Sequence, residues 1–283
     1  MKNLLVICMT LASATCLAIS NNWRLPSADN LVYLQLESGT VVIELAPFIA
    51  PKHVTQFKQL VEEGFYNGLD FYRVIDGFVA QAGDYSEQQE SEHKQPLQSE
   101  FMRTAPKDSP FFVVESQAMF EPENGLLYGF AAGRDVDTKQ EWLLHCPGII
   151  AMARSNDKDS ATTDFYITIG QGPRHLDRNM SVFGRVIWGM QHIQSVNRGD
   201  PEKSGVIEDS EQRSKILWAS LGTDTPAGQQ LPIQIQNEWG NTYQQWLQGK
   251  RDMQEDFFHY KGNGKVDICY RGVNSRLAPE STD

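Results

Sequence analysis

The hydrophobic pattern near the start of the chain predicts a β-hairpin followed by a helix. Apolar and polar residues alternate over residues 31–36 and again over 41–45, on either side of the turn residues Ser38-Gly39. From Pro51 the spacing changes, and apolar side chains recur on one face of a helical period until Gly64. A helix that begins at Pro51 is therefore expected.

Similar patterns predict further elements in the second half of the chain. Residues 190–197 carry the stripe of a short helix, residues 215–220 the pattern of a strand, and residues 231–237 one more extended segment. Residues 241–258 predict another helix, which the glycines at 262–264 follow. The expected apolar face of this helix consists of Tyr243, Trp246, Leu247, Met253 and Phe257.

Residues 71–84, FYRVIDGFVAQAGD, predict a strand-turn-strand unit that contains an arginine. Under the period of a strand, Arg73 shares a face with Phe71 and Ile75. A guanidinium among apolar side chains needs a partner, and Gln81 on the next strand can hold it without neutralising its charge. An arginine that snorkels at a sheet edge is the alternative.

This segment resembles the cyclophilin signature F-x-R-x-I-x-G-F-x-x-Q-x-G-D and matches it at every fixed position. The resemblance implies a mainly β fold, an eight-stranded antiparallel barrel capped by two helices, over roughly residues 30–220. It continues through GTVVIEL (39–45), PGIIAMARS (147–155), DFYITIG (164–170) and HLDRNMSVFGRVIWGM (175–190).

The division of the chain follows from this resemblance and from the first residues. Residues 1–20 read as a signal peptide, with Lys2, an apolar stretch and a small-x-small cleavage site at 18–20. An uncleaved anchor is the alternative, although the apolar stretch is short for a membrane span. We expect a cyclophilin-like domain over 29–220 with an insertion at about 85–146. A helical C-terminal extension over 221–283 is expected to pack on the barrel.

Charge and cysteine content limit the expected partners and location. A net charge of −11 argues against nucleic acid as a partner, because phosphate binding requires a basic face. Export predicts a periplasmic or secreted protein without a membrane anchor after cleavage. Of four cysteines, Cys146 and Cys269 remain after cleavage, and an oxidising compartment favours a disulfide between them. Two separate thiols are the alternative, and neither cysteine has the spacing of a metal site.

The resemblance implies a peptidyl-prolyl cis-trans isomerase that uses no cofactor or metal. Rotation about an X-Pro bond removes the amide resonance and leaves a lone pair on the prolyl nitrogen, which a positive donor stabilises. Arg73 is the implied donor, and Gln81 orients it. The implied catalytic residues are Arg73, Phe78 and Gln81. The implied substrate-binding residues are Val79, Ala153, Arg154, Asp164, Tyr166, His175, Leu176 and Met180.

Five of these positions depart from the family pattern. They are His175 in place of a Trp, Met180 of a His, Arg154 of an Asn, Tyr166 of a Phe and Asp164 of a Gln. Asp164 matters most, because a carboxylate within reach of Arg73 is expected to form an ion pair with it and compete with substrate. An ion pair between Asp164 and Arg154 is the alternative.

Two functions are consistent with these residues. The first is an isomerase that acts on proline-containing polypeptides and assists the folding of exported proteins, most simply as a monomer. The second is a catalytically weak proline-peptide binding module or chaperone on the same fold, which Asp164 and Met180 favour. A metal site at His145 or His175 is not expected, since neither has a second ligand at a suitable spacing.

Overall fold

The computed structural model describes residues 22–279, so the predicted signal peptide lies outside the described residues. In chain order the strands are β1 (Trp23–Arg24), β2 (Leu31–Leu36), β3 (Gly39–Leu45), β4 (Asp70–Ile75), β5 (Val79–Gly83), β6 (Arg103–Thr104), β7 (Phe111–Ser116), β8 (Glu123–Leu127), β9 (Phe130–Asp135), β10 (Gln140–Leu143), β11 (Ile149–Met152), β12 (Phe165–Thr168), β13 (Val182–Trp188), β14 (Ser214–Leu221), β15 (Ile233–Gln236) and β16 (Ser275–Leu277). The α-helices are α1 (Pro51–Glu62), α2 (Met190–Gln194) and α3 (Asn241–Asp252).

Eight strands close into an antiparallel barrel in the order β11-β12-β5-β4-β14-β2-β3-β13. This order confirms the eight-stranded barrel that the resemblance implies. Four buried aromatic side chains, Phe57, Tyr66, Phe165 and Phe183, form a cluster in which the contacting ring centroids are 4.9–5.5 Å apart. Phe57 comes from α1, so the helix packs on the barrel through the apolar face that its sequence predicts.

The helices at residues 190 and 241 are shorter than predicted. The helix α2 ends at Gln194 rather than near residue 197. The helix α3 ends at Asp252, because Met253 adopts a left-handed conformation with φ of 42° and its amide donates to the carbonyl of Gly249. Phe257 is consequently outside the helix and largely exposed. Neither Met253 nor Phe257 belongs to the apolar face of α3, which buries Tyr243 and Leu247.

A β-bulge in β4 changes which side chains share a face. Asp70 pairs with Gly83 and Arg73 with Gln81, so β4 has one more residue between these pairs than β5. The extra residue shifts the alternation, and both Phe71 and Val74 enter the core. The expectation that Phe71 and Arg73 share a face is therefore wrong.

Among residues 22–279, two smaller sheets lie outside the barrel. Residues 103–143, where only an insertion was expected, contain a five-stranded sheet in the order β6-β10-β9-β8-β7. The second has three strands in the order β1-β15-β16. Arg251 of α3 forms a 2.5 Å ion pair with Glu115 of β7, so the C-terminal region contacts the five-stranded sheet.

A disulfide joins Cys146, just before β11, to Cys269, and spans 123 residues of sequence. It ties the C-terminal region to the barrel. Within residues 22–279, none of the helices has the length and apolar character that a membrane span requires.

Candidate active site

Arg73, Gln81 and Tyr166 stand side by side on three neighbouring barrel strands. Arg73 on β4 pairs directly with Gln81 on β5, and Gln81 pairs with Tyr166 on β12. Directly paired residues of antiparallel strands point to the same face, so the three side chains form one row. The adjacent pair Val74 and Ala80 lies in the core. The row, which we call the arginine row, therefore lies on the outer face of the barrel.

Two neutral oxygen atoms hold the guanidinium of Arg73. Its Nη1 donates a 3.0 Å hydrogen bond to Gln81 Oε1, and its Nε donates a 3.0 Å hydrogen bond to the carbonyl of Ser204. Among residues 22–279, no carboxylate forms an ion pair with Arg73, and no hydrogen bond from Nη2 is found. Arg73 thus keeps an unneutralised positive charge and unused donors.

Asp164 forms no ion pair with Arg73, so the expected competition with substrate is absent from this structure. The hydroxyl of Tyr72 donates to Asp164 Oδ2 at 2.6 Å, and the backbone amide of Asp84 donates to Oδ1 at 3.1 Å. The side-chain amide of Gln81 donates to the same Tyr72 hydroxyl. Burial raises the pKa of Asp164, although the hydrogen bonds oppose this shift. The neutral side chains of Gln81 and Tyr72 thus connect Arg73 to the carboxylate of Asp164.

Arg154 does not pair with Asp164 either. Its guanidinium donates to the carbonyl of Asn179 at 2.9 and 3.1 Å and to the carbonyl of Ser155 at 2.8 Å. The backbone amide of Ala153 donates to the carbonyl of Asp164 at 2.8 Å. Arg154 therefore connects the segment after β11 to the segment before β13.

The remaining predicted pocket residues lie at the end of the row and in the segment after β12. Phe78 is half-buried just before β5, and its ring stacks on that of exposed His175 with centroids 6.1 Å apart. Leu176 and Met180 are partly buried against the core, and Val79 is fully buried. Their assignment to a pocket for the proline ring stays a prediction.

A network of buried polar side chains contacts the hydroxyl of Tyr166. Its hydroxyl lies 2.9 Å from Nε2 of His145, a histidine with no exposed surface. Nδ1 of His145 lies 2.9 Å from Asp177 Oδ1, and Arg174 Nε donates to Asp177 Oδ2 at 2.6 Å. Arg174 also forms a 2.5 Å ion pair with Glu121. The carboxylate of Asp177 can only accept, so Nδ1 of His145 carries a proton and Nε2 is free to accept from the Tyr166 hydroxyl, which burial keeps protonated by raising its pKa.

One group of possible metal ligands occurs in residues 22–279, outside the arginine row. Ligand atoms of Glu63, Glu92 and His93 lie within 4.8 Å of one another. Both glutamates are exposed, and exposed acidic groups are common without a bound ion. Because this group lies outside the arginine row, it does not indicate a metal site there.

Sequence reasoning missed the residues that support this site. Tyr72 follows Phe71 in the signature, and only the bulge shows that it contacts Gln81. Ser204, which accepts from Arg73, is 131 residues away in sequence. The pairing of His145 with Asp177 across 32 residues likewise has no local signal.

Comparisons with known proteins agree with this architecture. The family model described as Cyclophilin type peptidyl-prolyl cis-trans isomerase/CLD matches residues 31–217. A probable peptidyl-prolyl cis-trans isomerase of Brucella suis is 31% identical over 199 residues, which are 70% of this chain and 85% of that protein. Peptidyl-prolyl cis-trans isomerase B of Bacillus subtilis is 28% identical over 177 residues, 62% of this chain and 96% of that protein.

A solved structure extends the similarity beyond the barrel. The crystal structure of the cyclophilin AquaCyp293 from Hirschia baltica superposes with a TM-score of 0.73 at 27% identity, over 91% of this chain and 94% of that one. The matched family model covers β2 to the first half of β14, and the relatives are named for the same activity. The chain therefore belongs to the cyclophilin-type peptidyl-prolyl cis-trans isomerases.

Proposed function

We propose that this isomerase acts on X-Pro bonds of exported polypeptides and that Arg73 is its electrostatic catalyst. The observation that carries the proposal is the environment of Arg73, whose charge is held by Gln81 and the carbonyl of Ser204 without an ion pair. A cation with unused donors on the outer face of a rigid barrel is suited to stabilise charge that develops on a bound peptide.

The proposed mechanism needs no covalent step. In the planar ground state the prolyl nitrogen shares its lone pair with the carbonyl, and it is a poor hydrogen-bond acceptor. In the twisted transition state the lone pair is localised on the nitrogen, and Arg73 donates to it. The interaction favours the transition state over both ground states, which lowers the barrier in both directions. Gln81 keeps the guanidinium in place through its 3.0 Å hydrogen bond.

We propose that residues around the arginine row position the substrate. Phe78, Val79, Tyr166 and Leu176 are proposed to enclose the proline ring, with His175 and Met180 at the rim. The backbone of Ala153 and Arg154 is proposed to bind the peptide next to Asp164. The interaction of Arg154 with the carbonyl of Asn179 supports this arrangement, because it fixes the segment that carries Met180.

The alternative, a catalytically weak proline-peptide binding module, loses part of its support. One of its two grounds is neutralisation of Arg73 by Asp164, and Asp164 is instead engaged by Tyr72 and the amide of Asp84. Met180 in place of a histidine still favours it.

We further propose a monomer in the periplasm or outside the cell, with residues 1–20 removed as a signal peptide. The disulfide between Cys146 and Cys269 supports this location, because disulfides persist in oxidising compartments. Residues 29–220 are proposed as the catalytic domain, with 85–146 as an insertion and 221–283 as an extension packed on the barrel.

The test is the cis-to-trans conversion of a short Ala-Pro peptide in an assay without protease. We expect Arg73→Ala to lower kcat/KM about a hundredfold, as for one preorganised donor in other enzymes, with little change in peptide affinity. Arg276→Ala, at an exposed arginine of β16, is the matched control and should retain the wild-type rate.

Wild-type activity in Arg73→Ala would refute the role of Arg73. Saturable binding without acceleration by wild type would establish the binding module, and rescue by Asp164→Gln would then identify the carboxylate as the cause.

A further inference from the structure

His175 belongs to a second groove as well as to the rim of the predicted proline pocket. Its ring stacks on Phe78, and it also lines a groove of about 340 Å³. Three parts of the chain build this groove: the predicted insertion, the segments that flank β11 and β12, and the C-terminal region. We call it the aromatic groove, after the residues Phe120, Pro147, Pro173, His175 and Tyr270 that line it.

The rim of the aromatic groove exposes large apolar side chains. Phe120 is 62% exposed and Tyr270 is 75% exposed, although they come from sequence segments 150 residues apart. Scattered single apolar residues are normal on a protein surface, whereas a concave cluster of them indicates a binding site. A volume of about 340 Å³ is within the range of small ligand pockets.

The structure holds this rim in place. The guanidinium of Arg174 lies 5.0 Å from the ring centre of Phe120, and the same group pairs with Glu121 at 2.5 Å and Asp177 at 2.6 Å. Tyr270 follows Cys269, which the disulfide fixes to the barrel. Both aromatic side chains are thus attached to anchored backbone, so little ordering is needed when a ligand binds.

We propose that the aromatic groove binds the same client polypeptide as the catalytic site, through an apolar or aromatic side chain a few residues from the proline. This proposal rests on the proposed isomerase function. The shared residue His175 indicates the occupant, because it lines both the proline pocket and the aromatic groove. The ring centroids of Phe78 and His175 lie 6.1 Å apart, so a peptide whose proline contacts Phe78 reaches His175 within about two extended residues. Its next residues therefore reach the groove, at about three or four residues from the proline.

The chemistry of the groove fits a polypeptide side chain better than a charged ligand. Aromatic and proline residues are five of its ten lining residues, and the cation of Arg174 is already paired with two carboxylates. An extended client segment would gain affinity by burying one apolar side chain there, without any change in the chemical step.

The test compares three peptides: a short Ala-Pro tetrapeptide, and two longer peptides extended by four residues on both sides of the same core. One long peptide carries Phe three or four residues from the proline, and the other carries Ser there. We expect wild type to show a KM about tenfold lower for the Phe peptide than for the Ser peptide, with similar kcat. In Tyr270→Ser and Phe120→Ser this ratio should approach one.

Tyr260→Ser is the matched control, because Tyr260 is an equally exposed tyrosine of the C-terminal region that does not line the groove. This variant should keep the wild-type ratio. A second arm replaces both Cys146 and Cys269 by serine, which should lower the ratio by releasing Tyr270 while every residue of the arginine row is kept. Equal KM values for the two long peptides in wild type, or the same change in Tyr270→Ser and Tyr260→Ser, would overturn the proposal.

Two further measurements distinguish failure of the isomerase function, and self-association of the chain, from failure of the aromatic groove to bind the client. Failure to turn over the tetrapeptide would count against the isomerase function alone, because fluorescence anisotropy of the two labelled long peptides still tests the groove by their Kd ratio. Sedimentation at the assay concentration tests whether a second copy of the chain occupies the groove. A wild-type dimer that Tyr270→Ser converts to a monomer would assign the groove to self-association and refute binding of the client.

Discussion

The hydroxyl of Tyr72 donates a 2.6 Å hydrogen bond to the carboxylate of Asp164. The same hydroxyl accepts a hydrogen bond from the side-chain amide of Gln81, whose oxygen accepts from Arg73. A phenol and an amide, both neutral, therefore relay hydrogen bonds between a buried acid and a cation that do not meet. An acidic residue at position 164 therefore does not neutralise Arg73, whose charge remains available to the substrate.

The pH dependence of stability should show that Asp164 has no cationic partner. Burial raises its pKa in the folded protein, so its contribution to stability is complete below the unfolded value of about 3.8 and is lost as pH rises through the folded pKa. We expect the free energy of unfolding of wild type, minus that of Asp164→Asn, to fall as pH rises above 3.8. Urea unfolding at a series of pH values measures this difference. A difference that increases with pH would instead reveal an ion pair with Arg73.

Gly83 should be intolerant of a side chain because of the same carboxylate. A Cβ atom there would overlap Asp164 Oδ1 and approach the Asp164 Cα within 2.9 Å, and its φ of +149° disfavours other residues. We expect Gly83→Ala to lower the free energy of unfolding by more than about 2 kcal/mol and to reduce isomerase activity. Gly228→Ala is the control, since no atom lies within 4 Å of a Cβ at Gly228. Similar losses in thermal unfolding of both variants would contradict the steric argument.

Tyr166→Phe should affect stability more than turnover. The phenyl ring is kept, but Nε2 of buried His145 loses its 2.9 Å partner. Leaving one buried polar group unpaired costs roughly 1–3 kcal/mol, and we expect a loss of that size in chemical unfolding with kcat retained. Tyr128→Phe, at a tyrosine that is 46% exposed, serves as control and should change neither quantity. A large fall in kcat with unchanged stability would show that the hydroxyl acts on the substrate.

Reduction of the disulfide should destabilise the chain. It closes a loop of 123 residues, and loss of such a cross-link costs roughly 2–5 kcal/mol, mainly by increasing the entropy of the unfolded state. We expect a lower unfolding midpoint in dithiothreitol. The Cys146→Ser/Cys269→Ser variant should already have the lower midpoint and should not respond to the reductant. An equal response of wild type and variant would show that the reductant acts elsewhere.

Local sequence patterns predicted the regular elements well. The strands on both sides of residue 38 and the helix that begins at Pro51 each depend on side chains close in sequence. The same reasoning made α3 too long, because nothing in the apolar spacing reveals the left-handed backbone at Met253. The five-stranded sheet was missed although β7, β8 and β9 have five or six residues each, because Asn124-Gly125 in β8 and Gly133 in β9 are turn signals in a local pattern.

The arrangement of the site depended on tertiary structure that no local pattern contains. The pairing of Arg73 with Gln81 was predicted correctly. The faces of β4 were not, because the bulge between Asp70 and Arg73 reverses the alternation. The partner of Asp164 was also predicted incorrectly, since a buried carboxylate can be satisfied by any nearby donor, and here a tyrosine hydroxyl is that donor.

The pairing of β1 has a consequence for the order of events during synthesis. In the part of the chain that the structure describes, Trp23 and Arg24 pair with strand β15 only, at Gln236 and Ile235. These partners are made more than 200 residues later, after the last barrel strand, β14, is complete. The backbone pairing of β1 with β15 can therefore form only after all eight barrel strands have been made. A chain that stopped after β14 would leave Trp23 and Arg24 without a strand to pair with.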